Sequence, residues 1–272
     1  SDIYSCQAID NLEKSIERYR PDVISICTPD KTHYDVAIKI MNNNFVPKII
    51  FLEKPACINM NELQSILELS NKKDIAVVVN HTRRFDNKHK ALREKILANE
   101  FGGLINCQVD YYGGWLHNGV HVVDTLSFLF DDSLSSFNVS KSLESGYKND
   151  PTLDICLKFN NKPGEIFLKG FDEQYFQIFE FDLKFEKARI RIEDFGNIFL
   201  LDTKIVNEKN ENVLLRSEFI LSDSAKTPME NAINLFVEYL NYNNSYCLRG
   251  YILKDIFPTM KTLWETQSNY EN

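Results

Sequence analysis

Two stretches of the chain hold side chains whose types and spacing could do chemistry. In the first, an apolar run at residues 48–52 drives into Glu53-Lys54-Pro55. Open α/β sheets bind ligands outside the carboxyl ends of their strands, so a lysine just past such a strand points into the crevice. A cation there can stabilise negative charge developing on an oxygen. Taken alone, these three residues are more ordinarily a solvated surface turn, because charged side chains belong mostly to surfaces.

The second stretch runs from Gly113-Gly114 through His117, Asn118 and His121 to Asp124. With Asn118 as N-cap, a helix reaching Phe130 would carry His121, Asp124 and Thr125 on one face, with His117 just before its start. An imidazole is matched to proton transfer near neutral pH, which makes His121 the acid/base candidate. The structural alternative is a core histidine bonded to Asp124 or to a carbonyl. His117 and His121 are also spaced as metal ligands can be, with Asp124 nearby, but no further acidic or cysteine ligand accompanies them.

The elements that must position these groups follow from periodicity. Asp10 with Glu13 resembles a capping box, and Ile9, Leu12, Ile16 and Tyr19 keep helical spacing until Pro21. Short apolar runs at 23–27, 48–52 and 75–79 alternate with helical stripes through Val36, Ala37, Ile40 and Met41 and through Leu63, Ile66, Leu67 and Ser70. Such alternation predicts a parallel sheet covered on both faces. A charged helix is expected at 87–99. From Gly103 the pattern turns to β: a strand at 104–112, a hairpin turning on residues 160–164, strict alternation at 179–186, and further strands at 188–192 and 197–205. Met229, Ile233, Phe236 and Leu240 predict an amphipathic helix, followed by a last helix at 253–265 interrupted by Pro258.

The fold expected is α/β: a partial Rossmann-like parallel sheet at 1–84, then a substrate-binding and dimerisation domain at 85–272 with a large open, mostly antiparallel sheet. The alternation opens on a helix, whereas a doubly wound domain normally opens on a strand whose next turn carries phosphate-binding glycines. The first glycine of the chain is Gly102, so no G-x-G-x-x-G lies in the strand–helix region. A first βαβ portion of roughly 30 or more residues is therefore expected to stand outside this sequence; otherwise the protein does not bind a dinucleotide in the usual way.

Composition narrows the class. The 272 residues are 43% hydrophobic and 26% charged with net charge −8, enough for two cores. No basic cluster interleaved with aromatics suggests a nucleic-acid groove. Six scattered cysteines without C-x-x-C, Cys6, Cys27, Cys57, Cys107, Cys156 and Cys247, read as reduced, mostly buried thiols. With no signal-peptide pattern and no apolar run near ~18 residues, a soluble cytoplasmic protein without membrane or nucleic-acid partners is expected.

Thr28-Pro29 followed by Thr32-His33, then Glu53-Lys54-Pro55, Arg84-Phe85, and Gly113-Gly114 leading to His121-x-x-Asp124 occur in this order and spacing. The pattern resembles the glucose–fructose oxidoreductase/inositol dehydrogenase (Gfo/Idh/MocA) family over nearly the whole chain. The resemblance implies a Rossmann domain for NAD or NADP and a second α/β domain whose sheet pairs subunits as a homo-dimer or homo-tetramer. It implies oxidation or reduction of a hydroxyl carbon of a sugar, inositol or sugar nucleotide. Lys54 then contacts substrate hydroxyl and nicotinamide, His121 is the acid/base with His117 beside it, and Thr28, Pro29, His33, Glu53, Pro55 and Arg84 line the cofactor crevice. Two departures stand out: His117 occupies the place where the family often has aspartate, and the glycine loop and ribose-reading acid are absent, so this chain is expected to bind NAD(P) poorly or not at all. A non-catalytic sugar-binding or assembly protein of the same fold is the alternative; a metal-dependent lyase or hydrolase using His117, His121 and Asp124 is a third reading.

Overall fold

In the computed structural model, which describes residues 7–219, 221, 226–242 and 244–271, four consecutive buried residues form the middle strand of a parallel sheet. The chain makes two compact units, Ser1–Asn80 with Asn234–Asp255, and His81–Ile233 with Ile256–Asn272. The second segment of the first unit, Asn234–Asp255, is not one that the sequence pattern assigned to it.

The first unit runs α1 (Leu12–Tyr19), β1 (Val23–Ile26), α2 (His33–Met41), β2 (Ile49–Leu52), α3 (Met60–Lys73) and β3 (Ala76–Val79). Asn11, not Asp10, caps α1: its extended backbone lets the side chain accept from Lys14 N. At α3 a variant of the capping box forms: Asn59 accepts from Glu62 N, and Glu62 accepts from the Asn59 side chain and from Ile58 N, one residue before the cap. The strands pair in the order β1-β2-β3, all parallel, and Ile26, Leu52 and Val79 share one row. Parallel sheets are covered on both faces, and Ile49, Ile50, Phe51 and Leu52 are accordingly all buried. Phe236 packs edge-on against Phe51, and Ile252 makes an isolated bridge to Val78.

The second unit contains α4 (Thr82–Phe85), α5 (Asn87–Leu97), β4 (Leu104–Tyr112), α6 (Val120–Phe130) and seven more strands: β5 (Leu134–Leu143), β6 (Thr152–Phe159), β7 (Glu165–Phe171), β8 (Glu180–Phe185), β9 (Ala188–Glu193), β10 (Ile198–Val206) and β11 (Asn212–Ser217). Their order is β11-β10-β9-β8-β4-β7-β6-β5, with β4–β7 the one parallel pair among these neighbours. In β8 Phe181, Leu183 and Phe185 are buried while their alternates are not, as the strict alternation requires. The sequence pattern did not single out β5 and β11, which close the two edges of the sheet. An edge strand is held from one side by its ladder, so its side chains need not alternate strongly.

Two more helices, α7 (Pro228–Tyr242) and α8 (Leu253–Glu271), complete the chain. The face that α7 buries holds Ala232 and Phe236, whereas Met229 and Ile233, expected inward, are 46% and 53% exposed. Pro258 does not interrupt α8. Its missing N–H and ring fall against the carbonyl of the first turn, leaving the turns beyond it intact. The five described cysteines are free: Cys57 and Cys107 are buried, Cys156 and Cys247 half-buried, Cys27 exposed; Cys6 lies outside the described residues. Burial pushes the Cys57 thiol up to about 12. Among the described residues no helix is long and apolar enough to cross a membrane.

Asp86 caps α5 by accepting from His89 N at 2.9 Å and lies 2.6 Å from His89 Nδ1. Burial holds the imidazole's proton affinity below its ordinary value. The Asp86 carboxyl is also lowered, because the bonds from His89 outweigh its burial. In the unfolded chain His89 takes up a proton below about 6.5, whereas in the folded chain it does so at lower pH, so stability falls with acid in that window and Asp86 adds to the fall at lower pH. Urea midpoints measured from neutral pH down through that window should fall less steeply in His89→Gln than in the wild-type protein.

Candidate active site

Because Ile26, Leu52 and Val79 end in one row, the residues that follow leave the sheet at one edge. Glu53 N donates to Ile26 O and Asn80 N to Leu52 O, which extends the ladder by one step. Asn80 Nδ2 donates to Glu53 Oε1 at 2.7 Å, so the carboxylate beside Lys54 is held by the loop after β3. Lys54 and Pro55 are joined by a cis peptide bond and are half-exposed. Pro29 O accepts from both the backbone and the hydroxyl of Thr32, which closes a 3-10 turn at Asp30–Thr32. Behind this turn His33 is fully buried, with Nε2 2.7 Å from Thr28 O and Nδ1 2.7 Å from Pro55 O. Thr28, Pro29, His33, Glu53, Lys54 and Pro55 thus gather at one edge of the first unit. Asn80 belongs with them, though nothing in its sequence context marks it.

The remaining site residues lie in the second unit. Arg84, on α4, directs Nε to both oxygens of Asp124 on α6, at 2.9 and 3.0 Å. Its guanidinium also lies 5.3 Å from the ring centre of Phe128. His81 Nδ1 stands 3.6 Å from the same carboxylate, and all three side chains are buried. The carboxylate that the metal reading required is therefore committed to a cation, and among the described residues no group of three or more His, Cys, Asp or Glu is arranged to hold a metal ion. The neighbouring Arg83 lies over the Phe179 ring at 4.2 Å, and burial lowers its guanidinium to about 10.

Asn118 does not cap α6. Residues Trp115–Gly119 already form a π-helical turn that runs into the helix, and the residue before Val120 is Gly119, without a side-chain cap. The capping is done from a distance: Asp150 accepts from Leu116 N at 2.7 Å and from His117 N at 2.9 Å. Gly114 has φ +86°, and a Cβ there would overlap the Asp150 carboxylate, so the glycine is required. Trp115, fully buried, donates its indole N–H to Leu263 O. The His117 ring stacks on Tyr147 at 3.8 Å, and the half-buried His121 ring meets Phe179 edge-on at 6.3 Å. Asp150, His81 and Tyr147 escaped the sequence reading; Asn149-Asp150-Pro151 signals a turn and nothing more.

Residues 2–81 match the family model GFO_IDH_MocA, described as an oxidoreductase family with an NAD-binding Rossmann fold. The 4-carboxy-2-hydroxymuconate-6-semialdehyde dehydrogenase of Sphingobium sp. is 29% identical over 90 residues, 33% of this chain and 28% of that protein. The scyllo-inositol 2-dehydrogenase (NAD(+)) of Bacillus subtilis is 33% identical over 94 residues, 35% of this chain and 25% of that protein. The chain thus aligns with less than a third of the length of these curated relatives. Among solved structures, aldose-aldose oxidoreductase from Caulobacter crescentus complexed with glycerol superposes with TM-score 0.76 over 95% of this chain and 79% of that one, at 11% identity. This last likeness shows the shared fold.

Removing one partner of a buried ion pair leaves the other charge uncompensated, at about 3–5 kcal/mol. Asp124→Asn should therefore destabilise the protein by that order in urea unfolding, and the double variant Asp124→Leu with Arg84→Met should lose less than Asp124→Asn alone.

Proposed function

We propose, from the match of residues 2–81 to the GFO_IDH_MocA oxidoreductase family, that the chain is a nicotinamide-dependent oxidoreductase acting on a hydroxyl carbon of a sugar, inositol or sugar nucleotide. The observation that carries this reading is the flush edge of the three parallel strands. It gathers Thr28, Pro29, Glu53, Lys54 and Pro55 where open α/β sheets take ligands. The inositol dehydrogenase among the relatives supports the substrate class.

These residues fit the nicotinamide end of NAD or NADP, with Lys54 as the cation beside the reacting oxygen and Thr28, Pro29 and Pro55 as the wall. The loops at this edge carry no glycine, so their backbone is not shaped to cradle a pyrophosphate. The nicotinamide, when bound, supplies the hydride chemistry. Lys54 stabilises the alkoxide that forms as the hydroxyl gives up its proton. His121 takes that proton in oxidation and returns it in reduction. His117 replaces a carboxylate with an imidazole, a group that itself exchanges protons near neutrality, and we assign it an auxiliary part in the transfer. Pairing of two or four copies through the open sheet of the second unit belongs to the same proposal.

The test is turnover with NAD and NADP across inositols, aldoses and sugar nucleotides. Lys54→Ala should lower kcat by on the order of 10² or more with an unchanged circular dichroism spectrum, and His121→Gln by roughly 10²–10⁴. A Lys54→Ala protein with near-normal kcat, or no turnover with any of these substrates, sinks the reading.

A further inference from the structure

His33 is the one fully buried side chain in the edge cluster, 0% exposed, and both of its ring nitrogens face backbone carbonyls. Nε2 lies 2.7 Å from Thr28 O, at the end of β1, and Nδ1 lies 2.7 Å from Pro55 O, in the loop after β2. A carbonyl oxygen accepts and never donates, so each contact is a hydrogen bond only if the ring supplies an N–H. A neutral imidazole has one N–H; an imidazolium has two. We propose that His33 is a positioning residue that straps the Thr28-Pro29 loop to the Lys54-Pro55 loop as an imidazolium, and so sets the wall against which the nicotinamide lies.

The imidazolium is inferred from the contacts, two carbonyls facing the two ring nitrogens. A neutral ring would press a lone pair against a carbonyl lone pair at 2.7 Å in a site closed to water, and would leave that carbonyl unsatisfied. The charged ring makes two charge-assisted bonds, each stronger than a neutral one. Burial works against the charge, and so does the N-terminal end of α2, which His33 opens. The titratable groups on the segments that meet the ring are Asp30, Lys31, Tyr34 and Asp35 on its own stretch, Cys27 before Thr28, and Glu53, Lys54 and Cys57 on the opposite loop. Glu53 is bonded to Asn80, Glu62 at the start of α3 to Ile58 N and Asn59, and the Cys57 thiol is pushed up to about 12 and stays neutral. No ion pair among the described residues includes His33. The two carbonyls are its partners.

The strap has a direction in pH. Both loops are held while both ring nitrogens carry a proton, and one is released when the ring loses one of them. Cofactor affinity falls in the same direction, and by linkage bound cofactor makes the ring hold its proton to higher pH. This consequence rests on the oxidoreductase reading; the strap itself does not.

Nitrogen NMR of the imidazole rings in the whole protein, titrated with and without NAD and NADP, tests both parts. The expected result is a His33 ring protonated at both nitrogens, with its titration moved to higher pH by cofactor. The cofactor KM should rise by roughly ten- to hundredfold along that titration, with a smaller change in kcat, and this step should vanish in His33→Gln. A ring that stays a single neutral tautomer throughout overturns the proposal, as does a KM step that persists in His33→Gln. If cofactor binds at no pH, the oxidoreductase reading fails and the proton count of the ring still decides the strap. If His33→Gln does not fold, the wild-type titration decides.

Discussion

The alignment of three strand ends is the constraint on which the first unit depends. Ile26, Leu52 and Val79 lie in one row of a parallel ladder, and the bonds from Glu53 N and Asn80 N continue it one residue further. A strand rises about 3.3 Å per residue, so a slip of one position in β2 would carry Lys54 that far from Thr28. Nothing in the side-chain pattern opposes such a slip, because every residue of β2 is buried whichever face it takes. The register is fixed by what lies at the ends: the Asn59–Glu62 capping box after β2, the Asn80–Glu53 bond, and the ring of His33 between two carbonyls.

In the second unit, charge is used for position as much as for chemistry. Asp124 and Arg84 tie α6 to α4, and Asp150 holds two N–H groups of the turn that leads into α6. Neither carboxylate is placed to act as an acid or a base while so engaged. The imidazoles of His117 and His121 stand against aromatic rings, Tyr147 and Phe179.

Much of this was legible in the sequence because burial leaves a periodic trace. The strands of the first unit are near-continuous apolar runs, β8 alternates strictly, and β4 spans the residues its pattern predicts. Glu53-Lys54-Pro55 could be marked as a candidate site because a strand ends just before it. What could not be read depends on partners distant in sequence. Asp150 caps a turn more than thirty positions upstream, so Asn118 looked like the cap in its absence. The edge strands β5 and β11 pair through the ladder on one side only, and neither announced itself by strict apolar alternation. Met229 and Ile233 share helical spacing with Phe236, yet the buried face of α7 is set by Ala232, a residue too small to announce itself.

The bond from the Trp115 indole to Leu263 O joins the turn bearing His117 to the last helix of the chain. A second bond, from Thr262 Oγ1 to Leu134 O, fixes the same stretch of α8 beneath the strand that follows α6. α8 therefore ties the histidine turn to the start of β5. A protease cutting within this helix acts directly on the support of that turn.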